Sequence, residues 1–139
     1  MLTETEELIR NKINTILDSL SHGKYACQER KDTSDSVIGK PVDLQVKRKK
    51  DNSVVLAVEV ATVNTTQLVN EACRLYFDKC PRKLLIIEHR HGPKNAVEQC
   101  AGLLSRLYGQ DSINDTPARV AWFDDNESIQ LCLEELLLL

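Results

Sequence analysis

The feature that most constrains the fold is a short, wholly apolar run, Leu84 to Ile87, that lies between charged residues. Such a run is typical of a strand buried on both faces of a sheet. Ser53 to Thr62 is similarly apolar and rich in β-branched residues, as a central strand requires. The residues between the two runs have helical spacing, beginning at Asn64 or Thr65 and ending near Asp78. A strand, a helix and a second strand predict parallel pairing with a right-handed crossover.

A period-two pattern precedes this unit. In Pro41 to Lys49 apolar residues alternate with polar ones, and the turn-like run 49–52 leads directly into the strand that starts at Ser53. This arrangement predicts an antiparallel hairpin. Periodicity also predicts an N-terminal helix that ends at His22-Gly23, a weak strand over 24–30, a helix opening at Pro93, a strand over 118–123 and a helix over 128–138, where a strand is the alternative. The sequence thus predicts one α/β domain over residues 1–139, an αβββαβ core with an additional helix, strand and helix.

The composition fits a globular protein. The chain is 42% hydrophobic and 28% charged, it has no apolar run of the roughly 18 residues that span a bilayer, and its first residues are acidic. We therefore expect a cytoplasmic protein without a membrane partner. Its five cysteines form no CxxC pair and are expected to be reduced. The terminal run Leu136 to Leu139 is expected to pack on the core or to contact a second copy, as in a homodimer.

Two acidic residues of the hairpin are the candidates for chemistry. Asp43 lies on the polar face of the first strand, and Glu59 interrupts a strand that is otherwise apolar. A carboxylate buried in such a strand is unfavourable unless a cation or strong hydrogen bonds compensate it. Two close carboxylates in a partly dry cleft favour Mg²⁺ or Mn²⁺. Helical geometry adds Glu6, which shares a face with the apolar residues of the first helix, although it can equally be a half-hydrated residue of a first turn.

The order of these features resembles the core of the PD-(D/E)XK nuclease superfamily, the restriction-endonuclease-like fold. The similarity covers roughly residues 3–88. Pro41-Val42-Asp43 resembles the Asp motif of the family, and Glu59-Val60-Ala61 resembles its (D/E)xK motif. The resemblance implies that Glu6, Asp43 and Glu59 hold Mg²⁺ and that the protein cleaves phosphodiester bonds.

The chain departs from the family where the motif has lysine, because Ala61 stands there. Lys47 is the best substitute, since it shares a strand face with Asp43, and Lys40 is the second choice. We expect the basic run Lys47, Arg48, Lys49 and Lys50 to contact a phosphate backbone, with Gln67 lining the same cleft.

Three functions remain open on the sequence. The first is a metal-dependent nuclease acting on DNA or RNA, in which Asp43, Glu59 and Lys47 are catalytic. The second is an inactive nuclease-like domain that binds nucleic acid or a protein, or that dimerises. The third is an unrelated α/β domain in which Glu59 is simply paired with an arginine or lysine. A net charge of −3 argues against a protein that coats nucleic acid indiscriminately.

Overall fold

The computed structural model describes residues 2–30, 43–62, 65–88 and 94–139. They form a five-stranded mixed sheet whose spatial order, β1-β2-β3-β4-β5, is also the order along the chain. The first three strands pair antiparallel, and the last two add in parallel. The elements are α1 (Glu4–Ser21), β1 (Tyr25–Glu29), β2 (Leu44–Arg48), β3 (Ser53–Thr62), α2 (Thr65–Tyr76), β4 (Lys83–Glu88), α3 (Ala96–Leu107), a 3-10 turn (Ile113–Asp115), β5 (Ala118–Trp122) and α4 (Asn126–Leu137).

The predicted α/β fold is confirmed, including the hairpin of β2 and β3 and the parallel pairing of β3 with β4. The strand alternative for the terminal segment is wrong, because its last residues form α4. The left-handed cap of α1 is His22, with φ 53° and ψ 41°, followed by Gly23 with φ 79°. Pro41 and Pro93 lie outside the described residues.

Helices cover both faces of the sheet and create two apolar layers. On one face, α1 and α4 pack over Val46, Val58 and Ile86. On the other, α2 and α3 pack over Ala57, Leu85 and their neighbours. Leu84 and Ile86 of β4 enter one layer and Leu85 and Ile87 enter the other, which explains why this stretch of the strand is apolar without interruption.

The terminal leucines divide between core and surface. Leu136 and Leu137 are buried against α1 and the sheet, whereas Leu138 is 78% exposed. The expected packing of this segment on the core is therefore seen for its first half. Among the described residues, no helix combines the length and apolar character needed to cross a membrane.

We predict that Ile86→Ala lowers the free energy of unfolding by about 2–5 kcal/mol, because Ile86 is fully buried in β4, a strand paired on both edges, and its truncation leaves a cavity. Urea denaturation measures this loss. Leu131→Ala is the control, since Leu131 is 55% exposed on α4 and should change stability by no more than about 0.5 kcal/mol. Equal losses in the two variants would contradict the assignment of the core.

Candidate metal centre

Three carboxyl groups from different elements converge beside the sheet. Asp43 immediately precedes β2, Glu59 lies in β3 and Glu71 lies in α2, and one oxygen of each lies within 4.8 Å of the others. Glu59 points toward α2 because it is two residues from both Ala57 and Ala61 and so lies on the same face of β3, and the side chains of these two alanines pack under that helix. The sheet and α2 together therefore create the cluster.

Glu59 is the buried centre of this cluster. Its side chain has no solvent exposure, and its Oε2 lies 3.2 Å from Arg74 Nη1. Its Oε1 is also buried but has no hydrogen-bond donor among the described residues. The arginine pairing expected for an unrelated α/β domain is thus present, but it satisfies only one of the two oxygens.

Burial, followed by the nearby Asp43 and Glu71, raises the pKa of Glu59 to about 11, although Arg74 opposes the shift. The carboxyls of Asp43 and Glu59 lie close together, and both are only hydrogen-bond acceptors when they are ionised. A single proton held by the pair lets one carboxyl donate a hydrogen bond to the other. Without a cation, the cluster therefore holds a proton at neutral pH. A bound divalent cation would take the place of that proton.

The other two acids are anchored by different contacts. Asp43 is half-buried and its Oδ2 accepts a hydrogen bond from the backbone N–H of Val60 at 3.1 Å. That bond fixes the Asp43 carboxyl to the strand that carries Glu59. Glu71 is half-buried as well, and its Oε2 lies 3.3 Å from Arg74 Nη1, one helical turn along α2. The guanidinium of Arg74 therefore bridges Glu59 and Glu71.

Glu6 borders the cluster without being one of its three converging residues. It forms a capping box with Thr3, whose backbone N–H donates to Glu6 Oε1 at 2.8 Å. Burial and then the Asp43 carboxyl raise the pKa of Glu6, whereas the hydrogen bonds from Thr3 lower it. Glu6 is therefore a half-buried residue of the first turn that also faces Asp43, and its role as a metal ligand stays a prediction.

The predicted lysine is not beside the carboxyls. Lys47 is paired with Val54 and lines a separate cavity, about 13 Å along β2 from Asp43 at the usual rise of a strand. Ala61 is fully buried in the apolar layer under α2. The cation that does lie in the cluster is Arg74, and Lys40 lies outside the described residues.

The residues predicted to contact nucleic acid lie in two separate parts of the structure. Arg48 ends β2, and Lys49 and Lys50 lie in the following turn, at the opposite end of the strand from Asp43. Gln67 is exposed in the first turn of α2 and lies one helical turn before Glu71, on the same side of the helix. Of these residues, only Gln67 is placed near the carboxyls.

Sequence reasoning missed Glu71 and Arg74. A signal was present, because Glu71 falls three residues after Leu68 and four before Leu75, both buried under α2. A charged residue at that spacing lies beside the buried stripe of a helix. Arg74 follows Glu71 by three residues and therefore lies on the same side of α2. The sequence thus placed an acid and a base beside the face of α2 that packs toward Glu59.

Comparison of the chain with protein-family models, with curated proteins and with solved structures finds no match in any of the three. A function for the domain must therefore be inferred from the geometry of the site itself.

Proposed function

We propose that Asp43, Glu59 and Glu71 bind a divalent cation, Mg²⁺ or Mn²⁺, and that the domain hydrolyses phosphodiester bonds in DNA or RNA. The observation that carries this proposal is the buried Oε1 of Glu59, which has no donor among the described residues and faces two further carboxyls. Fully ionised, the three carboxylates beside one guanidinium would carry two uncompensated negative charges, and the proton held at Glu59 offsets only one of them. A hard divalent cation with oxygen ligands supplies that compensation.

The residues of the chain take distinct roles in this reaction. Asp43 and Glu59 supply ligand oxygens from the sheet, and Glu71 supplies a third from α2, with Glu6 next to Asp43. When bound, the cation lowers the pKa of a water molecule and polarises the phosphate. Arg74 is the cationic group beside the site and is placed to donate hydrogen bonds to a phosphate oxygen, a task to which guanidinium is suited. It would thereby replace the lysine that is absent at Ala61.

A second candidate function is that of an inactive nuclease-like domain, which binds nucleic acid or a partner protein, or forms a homodimer. The observation that favours it is the Arg74 guanidinium, which already bridges two of the three acids. In that case, the cluster stabilises the packing of α2 on the sheet and performs no chemistry.

Metal binding and cleavage together test the proposal. We expect Mn²⁺ to raise the thermal midpoint relative to EDTA, because it binds the folded state. Labelled single-stranded DNA, duplex DNA and RNA should be tested separately, and at least one should be cut in Mn²⁺ or Mg²⁺ but not in EDTA. Asp43→Asn should remove both effects. Glu127→Gln, at an exposed position in the first turn of α4, is the matched control and should retain both.

The outcomes separate the candidates. A rise in the midpoint without cleavage of any substrate would favour the inactive domain. No effect of metal on the midpoint, together with intact substrates, would overturn the proposed metal centre.

A further inference from the structure

The end of the hairpin formed by β2 and β3 lies beside the loop that connects α1 to β1. Tyr25, the first residue of β1, is the cross-strand partner of Arg48, the last residue of β2. The backbone N–H of Lys49 donates a hydrogen bond to the carbonyl of Lys24 at 2.9 Å. These contacts hold Lys24 beside the basic run of the hairpin. Lys24, Arg48, Lys49 and Lys50 together are called the hairpin-end site.

Hydrogen bonds fix the turn that carries three of these cations. The backbone N–H of Asn52 donates to the carbonyl of Arg48 at 2.8 Å, and Asn52 has a positive φ of 60°. Asp51 accepts hydrogen bonds from the backbone N–H and the hydroxyl of Ser53, at 3.1 Å and 2.7 Å. Because the backbone is already ordered, a ligand that binds here orders only the basic side chains.

The hairpin-end site has an excess of positive charge. All four of its residues are exposed. Asp51 is the one acid in the turn 49–52, and it pairs with Arg48 at 3.2 Å. Among the described residues, no ion pair joins Lys24, Lys49 or Lys50 to an acid. These three ammonium groups are therefore uncompensated, in a chain whose net charge is −3. Like charges on paired backbone segments repel each other, and a bound anion would relieve that repulsion.

A cavity of about 440 Å³ opens among these side chains. Its described lining residues are Lys24, Tyr25, Arg48 and Lys50. Tyr25 is half-buried and packs against the layer of α1 and α4, so its ring gives the cavity a fixed wall between the cations. This packing also places the cavity on the face of the sheet opposite to the one from which Glu59 points toward α2.

The side chains of the turn favour nucleic acid over a membrane surface as the ligand. A peripheral membrane site combines cations with apolar side chains that enter the interface, and the turn 49–52 has no apolar side chain. The cations of the hairpin-end site are instead spread over two chain segments, about 5 Å apart at the usual spacing of strands. Such an arrangement matches a row of phosphates, each of which pairs with one basic side chain.

We propose that the hairpin-end site binds the phosphate backbone of a nucleic-acid strand, at a position separate from the metal centre. Arg48 is about 17 Å from Asp43 along β2 and lies on the other face, so the phosphates bound here are not the ones that react. Lys47 is not part of the site, because it shares the face of Asp43. The binding surface rests on its own charges and cavity, and only the role of the bound strand as a substrate rests on the proposed function.

Fluorescence anisotropy in EDTA, with labelled single-stranded DNA, duplex DNA and RNA, tests the proposal without metal-dependent hydrolysis. Lys24→Gln/Lys50→Gln removes two cations from the cavity. It should weaken binding on the order of 10- to 100-fold at about 0.1 M salt and reduce the slope of log Kd against log salt by about two. Lys24→Arg/Lys50→Arg keeps the charge and should bind as the wild type does. Lys94→Gln/Arg106→Gln removes the same charge from exposed positions near the two ends of α3 and should change Kd by less than about twofold.

Three results would overturn the proposal: equal weakening by the glutamine pair and the α3 pair, equal weakening by the glutamine pair and the arginine pair, or no binding of any oligonucleotide by the wild type. Binding to phosphatidylserine vesicles but not to oligonucleotides would identify a membrane surface instead. Circular dichroism of each variant establishes that the fold is intact.

A small phosphodiester separates this proposal from the proposed function. Hydrolysis of bis(p-nitrophenyl) phosphate by the wild type in Mn²⁺ tests the metal centre alone, because so small a substrate does not extend to the hairpin-end site. Lys24→Gln/Lys50→Gln should hydrolyse it at the wild-type rate. A lower rate in this variant would contradict the separation of the two sites.

Discussion

Glu59→Gln is expected to lower metal-dependent hydrolysis by about a thousandfold. The amide keeps the shape of the side chain but removes the charge that binds the cation, and the loss of several kcal/mol of stabilisation corresponds to this factor. Rates on the oligonucleotide substrate in saturating Mn²⁺ measure the change. Hydrolysis by Glu59→Gln at the wild-type rate would show that Glu59 is not a ligand.

The same variant should stabilise the metal-free domain at alkaline pH. Because the folded-state pKa of Glu59 is raised to about 11 from an ordinary value of 4.5, the folded protein holds a proton that the unfolded chain releases. The stability contributed by this proton is complete below about pH 4.5 and is lost as the pH rises toward 11. The wild type should therefore lose up to about 1.4 kcal/mol per pH unit between pH 5 and 8.

Urea denaturation in EDTA at pH 5 and pH 8 measures this dependence. We expect the slope to be nearly absent in Glu59→Gln and unchanged in the control Glu127→Gln. A slope shared by all three proteins would show that Glu59 does not titrate as its surroundings indicate.

Arg74→Ala is expected to separate metal binding from turnover. Removing the guanidinium that lies 3.2 Å from Glu59 and 3.3 Å from Glu71 leaves more negative charge in the cluster, so Mn²⁺ should bind more tightly. Turnover should fall about 100-fold or more, because a donor to the transition state is lost. Calorimetry with Mn²⁺ and single-turnover cleavage measure the two effects.

Arg74→Lys is the conservative comparison. It retains the charge but not the forked donor geometry, so Mn²⁺ affinity should stay near that of the wild type and turnover should recover in part. If Arg74 only supports the packing of α2, both substitutions should change stability, with no selective fall in turnover. Tighter metal binding without a fall in turnover would overturn the proposed role of Arg74 toward the phosphate.

The sequence predicted most of the fold because local patterns carry that information. The composition of Leu84 to Ile87 alone predicts a buried strand, and the structure confirms it as part of β4, in parallel with β3. The terminal segment was ambiguous because Ile129, Leu131 and Leu133 alternate as well as fitting a helix. The helix is observed, with Leu131 exposed and Ile129 and Leu133 buried, because α4 must cover one face of the sheet with a single stripe.

The candidate site was only partly predictable. Asp43 and Glu59 were found because a charged residue in an apolar strand is conspicuous, and the hairpin register brings their strands together. Lys47 shares the strand face of Asp43, as predicted. Alternation along a strand determines the face on which a side chain lies, but not how far that side chain is from another residue. The distance along β2 places Lys47 at a separate cavity, away from the acids.

The sequence by itself determined the five-stranded α/β framework and the presence of a buried acid in its central hairpin, since both follow from local periodicity and the energetic penalty of burying charge. Only the tertiary structure decided which residues surround that acid. Glu71 and Arg74 belong to a helix whose rotation about its own axis is set by packing of Leu68, Ala72 and Leu75 on the sheet. That packing brings a third carboxyl and a guanidinium to Glu59, a contact that no spacing within α2 or β3 specifies.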